Sequence, residues 1–569
     1  MQDSRRNPGS TDQAKFEKEK VRFEYNPSEK LQLRCKAKFR ESFKILNAKS
    51  PHNMIQQGRV PPILALLVPL LMVNASIASK GYTAAVYEHA TIFKLGVQTR
   101  SQALEVMKEN IAVFQEKSRL AKEKGADIIV FPEDGLYGFT FTRDEIYLYL
   151  DDIPNPPSLA TSWNPCTEPD RFKNTEVTHI LSCMARNFSI AVVANMGDVK
   201  YCNKTSDPYC PDDGRYQFNT DVAFDTDGTL LARYRKMHLF SIEKTYFNTP
   251  RQPEVVTFTT SFGVTFGVFT CFDLLFYDPA IVLGESVSNI VFPTAWMDGL
   301  PTLISVGIQQ GWSRGLSVNF LAANQHFPQY KMTGSGIYSR GDALQYIHDM
   351  QTSEGHLLVA RVPNADLPKD NFREKSAESK LDQSSDETFT SQVRDDPYTF
   401  VKLSGAHGTV SVCTPGLCCQ ANYSTASESP FGNEMFAFGA FNGHHKYPGG
   451  YYIQACILLK CASMEEQSCG SSTTTSSTIF KSFAIEGNFS TETYVYPEVI
   501  LSDLQIISGM ETEYSGHKMV VSSFNKPLLS AMLFGRTYAL DSSTSVIRRR
   551  TLLQQKLQLG KRRVVKHVK

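Results

Sequence analysis

What the sequence has least of is net charge. Its 59 Lys and Arg balance 58 Asp and Glu, leaving +1 over 569 residues. Nucleic acid asks for a clearly basic domain, so that class of partner is excluded. Long hydrophobic runs are missing too. The most apolar stretch, Ile63 to Val73, is 11 residues long and holds Pro69, too short to span a bilayer comfortably. The basic C-terminal stretch has no hydrophobic run, so no GPI signal is expected. What remains is a globular composition, 41% hydrophobic and 11% aromatic, in a chain too long for one ordinary domain.

Residues 1–53 are polar and charged with little periodicity, and read as a disordered upstream extension. Met54, Arg59, the apolar core and Ser76-Ile77-Ala78 then supply a start, a positive charge, an apolar region and a cleavage site. That is a secretory signal peptide over 54–79, displaced from the N-terminus; its rival is a signal anchor with a basic cytosolic tail. A secreted, extracellular chain predicts glycosylation sequons and disulfides. Four sequons follow, at Asn187, Asn203, Asn422 and Asn488. Of the twelve cysteines, Cys35 precedes the signal. The remainder is odd, so at least one thiol stays unpaired. Ten sit in polar or loop-like settings, whereas Cys271 sits in the apolar "GVFTCFDLLF". Five bridges with Cys271 left over is the natural arithmetic. Zinc is the alternative for the six C-terminal cysteines, but a secreted setting favours disulfides.

From residue 81 strands and helices alternate. "YTAAVYEH" reads as a strand, and Leu104, Met107, Ile111, Phe114 and Ala121 mark an amphipathic helix that Gly125 ends. "ADIIVFPEDG", "SIAVVANMGD", "VTFGVFTCFDLL", "SNIVFPTAWMDG" and "LSVNFLAANQH" read as further strands, and "TDVAFDTDGTLLARY" as a hairpin. The pattern is a mixed α/β domain over 80–363. Residues 364–395 are polar with few apolar anchors and read as a linker. A β-rich, cysteine-rich domain follows over 396–545. The tail, 546–569, is basic: either a solvated segment or an arm that binds acidic cell-surface glycans.

Three residues stand at the ends of buried strands. Glu133 in "IIVFPEDG" is either a general base or an acidic residue in an ordinary turn. Lys236 in "LLARYRKMHLF" is either an oxyanion donor or part of a solvated basic patch. Cys271 is either a buried structural thiol or a nucleophile, with a lysine to favour its thiolate and a glutamate to take its proton.

In the order Glu, Lys, Cys, this set resembles the catalytic triad of the nitrilase superfamily of carbon–nitrogen hydrolases. The phrases "AAVYEHA", "FPEDGLYGF", "LLARYRKMHLF", "FGVFTCFDLLFYDP", "KMTGSGIY", "GLCCQANY" and "YYIQACILLKC" resemble its vanin–biotinidase branch, across both domains. The resemblance implies a four-layer αββα sandwich followed by a β-rich disulfide-stapled base domain. It implies Glu133 as general base, Lys236 as electrophilic lysine, Cys271 as nucleophile and the backbone N–H of Phe272 as an oxyanion donor. Glu243 is the nearest candidate for the second glutamate that many relatives carry, and Asp273 is expected to hold the cysteine loop. Tyr137 and Trp296 lie beside the motifs and either line the pocket or belong to the core. No metal or cofactor is implied. The expected substrate is the amide of a small vitamin conjugate, pantetheine ahead of biocytin. A catalytically silent binding protein on the same scaffold is the reading from another class.

Overall fold

The computed structural model describes residues 81–364, 387–427, 431–446, 449–522 and 525–541. The expected extension (1–53), signal peptide (54–79) and basic tail (546–569), and most of the expected linker, lie outside the described residues. Among the described residues no helix is long and apolar enough to cross a membrane.

Two six-stranded sheets form the first domain. Its strands are β1 (Tyr82–Glu88), β2 (Ile128–Val130), β3 (Ala191–Tyr201), β4 (Arg215–Phe224), β5 (Leu230–Arg235), β6 (Val256–Thr259), β7 (Thr265–Val268), β8 (Asn289–Pro293), β9 (Asn319–Ala323), β10 (Ser335–Ser339), β11 (Asp342–Ile347) and β12 (His356–Val362). One sheet runs β12-β1-β2-β3-β4-β5 and the other β11-β10-β9-β8-β7-β6. The inner pairs β1–β2, β2–β3, β7–β8 and β8–β9 are parallel. Parallel strands are covered on both faces, so they read as near-continuous apolar runs.

Side-chain alternation builds the layers. Tyr82, Ala84, Val86, Ile128, Val130, Ala191 and Val193 enter the core between the sheets. Their neighbours Ala85, Tyr87, Ile129, Phe131, Val192 and Ala194 enter a second core under the helices α1 (Arg100–Glu123) and α2 (Glu176–Phe188). Thr99 caps α1 by accepting from Gln102 N–H. Phe114 of α1 stacks on Phe131 at 3.9 Å between centroids. On the far side, α3 (Ser305–Gly315) sets Trp312 against Phe269 and Phe320 at 5.3 and 4.9 Å. The result is the expected αββα sandwich.

The C-terminal part is all β. A six-stranded sheet has the spatial order Thr388–Val393, Asp396–Lys402, Phe436–His445, Tyr451–Lys460, Leu528–Arg536, Tyr494–Leu501. A five-stranded sheet runs His407–Thr414, Leu417–Thr425, Phe480–Gly487, Lys518–Ser522, Thr512–Tyr514. Gly307, Gly311 and Gly315 form a stripe on α3 against Tyr494–Leu501. A Cβ on Gly311 would come within 2.4 Å of the Pro497 carbonyl, so the two parts meet almost backbone to backbone. Five disulfides join Cys166–Cys183, Cys202–Cys210, Cys413–Cys418, Cys419–Cys456 and Cys461–Cys469, and Cys271 is free.

Two expectations need correction. The linker drawn over 364–395 overruns: residues 365–386 are outside the described part, but Thr388–Val393 is a strand paired with Asp396–Lys402. Its inward residues, Phe389, Ser391 and Val393, include too few strong apolar groups to stand out among polar neighbours. The strand expected to run through Cys271 stops at Val268. The chain then turns because the Asp273 carboxylate collects the N–H of Thr270 (3.2 Å), the N–H of His238 (2.7 Å) and the hydroxyl of Tyr234 (2.6 Å).

Candidate active site

The three candidate residues come from different strands and meet at one end of the sandwich. Glu133 follows β2, Lys236 follows β5 and the turn Cys271–Leu275 follows β7. Thr294 and Ala295 follow β8, and Asn324 and Gln325 follow β9. All five segments lie at the C-terminal ends of their strands, where α/β sheets generally bind ligands.

Lys236 is the centre of the charge cluster. Its Nζ donates to Glu133 Oε1 and Glu243 Oε2, both at 2.6 Å, and all three side chains are almost wholly buried. Burial opposes the ammonium charge, but Glu133, Glu243 and Cys271 together outweigh it and hold the Lys236 pKa well above the ordinary lysine value. Glu133 is held at both carboxylate oxygens and at its backbone carbonyl. Its Oε1 also accepts from Asn219 Nδ2 (2.8 Å), its Oε2 accepts from Ala295 N–H (2.9 Å), and its backbone carbonyl accepts from Gln325 Nε2 (2.7 Å). Glu243 shares Asn219 with Glu133: its Oε1 accepts from Asn219 Nδ2 at 2.8 Å, while its Oε2 accepts from Phe240 N–H at 2.7 Å.

Cys271 opens its turn at φ +43° and is 7% exposed. Left-handed backbone is uncommon outside glycine and persists where surrounding contacts over-determine it. Its thiol lies beside the N–H of Ala295, the same group that holds Glu133. Burial, reinforced by the Glu133 charge, raises the thiol pKa well above normal, against the opposing pull of Lys236. Cys271 is therefore a neutral thiol at rest, and any nucleophilic use of it needs a proton acceptor in the site.

Under these residues runs a buried polar chain that the sequence reading did not pick out. Asn195 Nδ2 donates to Asn219 Oδ1 (2.6 Å) and to Asp221 Oδ1 (2.8 Å), and Asn195 Oδ1 accepts from Asp134 N–H (2.9 Å). Thr270 Oγ1 donates to Asp221 Oδ2 at 2.6 Å. The chain ties the Glu133 loop to the residue before Cys271. Its signal was present in "VVANMGD" and "QFNTDVAF": Asn195, Asn219 and Asp221 sit at fully buried strand positions, where a polar group persists only with partners.

Burial raises the Asp221 pKa to about 8. The unfolded value is about 3.9. As pH rises from about 4 to 8, the unfolded chain ionises this group while the folded chain keeps its proton, so folding loses stability across that window. Asp221→Asn removes the titration. Its melting temperature relative to the parent is expected to climb between pH 5 and pH 8, measured by calorimetry; a constant difference would show that Asp221 does not titrate this way.

The remaining candidates are placed as follows. Phe272 is the second residue of the Cys271–Leu275 turn. Asp273 holds that turn through the three bonds given above. Tyr137 packs against Phe141 and Tyr149, at 5.8 and 5.6 Å, and belongs to the helix-side core. Trp296 is 8% exposed and donates its Nε1–H to the Leu303 carbonyl at 3.0 Å. Asn187, Asn203, Asn422 and Asn488 are all exposed.

The carbon–nitrogen hydrolase family model matches residues 96–304, and the vanin C-terminal domain model matches residues 387–541. Pantetheinase of Homo sapiens is 44% identical over 491 residues, covering 85% of this chain and 94% of its own. Biotinidase of Bos taurus is 40% identical over 497 residues, covering 81% and 93%. A solved amidase from Nesterenkonia sp. covers 50% of this chain and 92% of its own at 18% identity and a TM-score of 0.36. On the strength of the two family models and the full-length relatives, the chain belongs to the vanin–biotinidase branch of the carbon–nitrogen hydrolases and is an enzyme that acts on amides.

Proposed function

We propose that the protein hydrolyses pantetheine to pantothenate and cysteamine through a thioester on Cys271. The observation that carries the chemistry is the Glu133–Lys236–Glu243 cluster beside a neutral, buried thiol. An amide carbonyl is a poor electrophile, so the reaction needs both a strong nucleophile and a stabilised tetrahedral intermediate. Glu133 takes the Cys271 proton as sulfur bonds to the carbonyl carbon. Lys236 and the backbone N–H of Phe272 hold the resulting oxyanion; one such donor is worth about 100–1,000-fold in rate. The C–N bond breaks as Glu133 returns its proton to the leaving amine. Water then attacks the thioester, again losing its proton to Glu133, and the acid leaves with regeneration of the thiol. Glu243 is the second acceptor of the Lys236 ammonium and keeps its charge in place.

The substrate choice rests on the 44% identical pantetheinase, which aligns over 94% of its length. The biotinidase relative at 40% supports biocytin as the second reading. Purified protein offered pantetheine and biocytin side by side is expected to release cysteamine with a kcat/KM at least tenfold above that for lysine release. The reverse preference would move the acyl group to biotinyl and leave the Cys271 chemistry intact. Five disulfides and four exposed sequons support an extracellular setting. N-terminal sequencing of the secreted product tests this: a start after residue 79 agrees, and a retained 1–53 segment overturns it.

A further inference from the structure

The C-terminal domain reaches the turn that carries Cys271 from two directions. Arg536, at the end of strand Leu528–Arg536, is wholly buried, and its Nε donates to the carbonyl of Leu275 at 2.9 Å. Leu275 is the last residue of the Cys271–Leu275 turn. The rest of the guanidinium is locked: Nη2 donates to Asp541 Oδ2 at 2.7 Å and Nη1 donates to the Tyr452 carbonyl. The rings of Tyr451 and Tyr538 each lie 4.6 Å from its centre. An arginine held at this many points presents Nε at one place only. It is therefore a fixed anchor for the Leu275 carbonyl.

The second contact is steric. Gly449 has φ +95°, and a Cβ there would lie 2.5 Å from Phe272 Cζ and 3.6 Å from Phe276 Cζ. Phe276 in turn meets the ring of Tyr451 at 6.2 Å. Phe272 is the residue directly after Cys271, so the space left by the missing side chain at Gly449 is occupied by the turn itself.

We propose that the C-terminal domain positions the nucleophile: Arg536 anchors the end of the Cys271–Leu275 turn, and Gly449 leaves the Phe272 ring the room in which that turn keeps its shape. This rests on Cys271 being the nucleophile. Cys271 stands at φ +43°, a conformation that needs support from outside the turn. Its own domain supplies Asp273; the C-terminal domain supplies the other end. A misplacement of about 1 Å at a reacting group costs on the order of 100-fold in rate, so a positioning contact shows itself in kcat ahead of KM. Arg536 and Gly449 touch no substrate in this account; they are positioning residues. It also gives the C-terminal domain a role in the reaction although it contributes no reacting group.

The full-length protein tests this through Gly449→Ala, Phe272→Leu, the two together, and Arg536→Lys. Gly449 is exposed in its loop, but alanine at φ +95° is strained whatever the space around it, so Gly449→Ala is expected to fold with a somewhat lowered melting temperature. Two readouts are needed: kcat and KM on pantetheine, and the rate at which iodoacetamide alkylates Cys271, located by peptide mass spectrometry. The second needs no substrate, so it stands even where the amide proposed above is wrong. Gly449→Ala is expected to lower kcat by about 10- to 100-fold with KM within about twofold, and to slow alkylation. Phe272→Leu in the same chain is expected to recover most of that loss, because it removes the atom that the new Cβ meets. A Gly449→Ala enzyme with parental kcat and alkylation overturns the proposal, and so does a loss that Phe272→Leu leaves untouched. Arg536→Lys keeps a charge for Asp541 but gives up the fixed Nε. A folded Arg536→Lys protein with parental kcat would remove Arg536 from the account. Loss of hydrolysis with Cys271 alkylation unchanged in every variant would overturn the positioning role. Hydrolysis that survives Cys271→Ala would instead overturn the mechanism beneath it.

Discussion

Cys271→Ala is expected to abolish amide hydrolysis, by about 10,000-fold or more, while leaving the fold intact. The size follows from the kind of step removed. A nucleophile that acts as a unit with its base and oxyanion donor takes nearly the whole chemical acceleration with it when deleted, and only binding and oxyanion stabilisation remain. The small effect on folding follows from the residue's place. Cys271 is the free cysteine among the described residues, so no disulfide is lost. The turn around it is held by Asp273, Tyr234 and His238 rather than by the sulfur. Losing one buried sulfur atom costs about 1 kcal/mol. The measurement is cysteamine release against melting temperature for parent and variant. Release at anything near the parental rate would sink the thioester route. A collapse of the melting temperature would show that the sulfur is structural, the reading that a buried thiol invites when met alone.

Much of this arrangement was legible in the sequence, and the reasons it was legible are physical. An odd cysteine count isolates one thiol before any geometry is known. Apolar runs such as "DIIVF" and "NIVFP" mark doubly covered strands, and Glu133, two residues beyond the first, emerges at a strand end where a site can form. Those runs plus one clear amphipathic helix give a mixed α/β domain, and the four-layer order is what the resemblance to the nitrilase superfamily adds. Other features were hidden for equally definite reasons. Glu243 lies seven residues from Lys236 on a short 3₁₀ turn, Ser241–Thr245, and no periodic pattern fixes where such a turn aims its side chain. Its 2.6 Å contact with Lys236 is visible only in three dimensions. The Asn195–Asn219–Asp221 chain looks like interrupted strand alternation until the neighbouring strand is placed beside it. Cys271 looked like part of a strand because its neighbours are apolar. Asp273, two residues on, turns the chain; its hold on the cysteine loop was expected from the resemblance, but not that the strand would end before Cys271. The contacts of Arg536 and Gly449 join residues more than 170 positions apart, beyond the reach of any local pattern.

Lys236→Met is expected to damage both the reaction and the fold, and the two losses carry different pH signatures. In the proposed mechanism Lys236 holds the oxyanion, and removal of such a donor costs about 100–1,000-fold. A further loss comes from Glu133. Without the ammonium, Glu133 and Glu243 remain buried, linked by Asn219, which donates to both at 2.8 Å. Burial raises the Glu243 pKa, with Lys236 opposing and the Glu133 charge adding to the rise, so without the ammonium Glu243 keeps its proton in the folded variant. Glu133 also loses the ammonium that holds its carboxylate in place, and the combined loss in kcat/KM is expected to be about 1,000-fold or more near neutral pH. Stability falls because one partner of a buried ionic cluster is missing, a change that typically costs about 3–5 kcal/mol. The sign with pH follows from the retained proton. A free glutamate has a pKa of about 4.3, and burial raises the folded value of Glu243 above it. Below about pH 4 both states are protonated and the like-charge penalty vanishes. It accumulates as pH rises through the raised folded value. The melting-temperature deficit of Lys236→Met is therefore expected to be small near pH 4–5 and greatest near pH 8, read by calorimetry on parent and variant in parallel. A deficit that ignores pH would mean that packing of the lysine stem, rather than its charge, supports the cluster. Hydrolysis within tenfold of the parent would mean that the oxyanion is held by some other group.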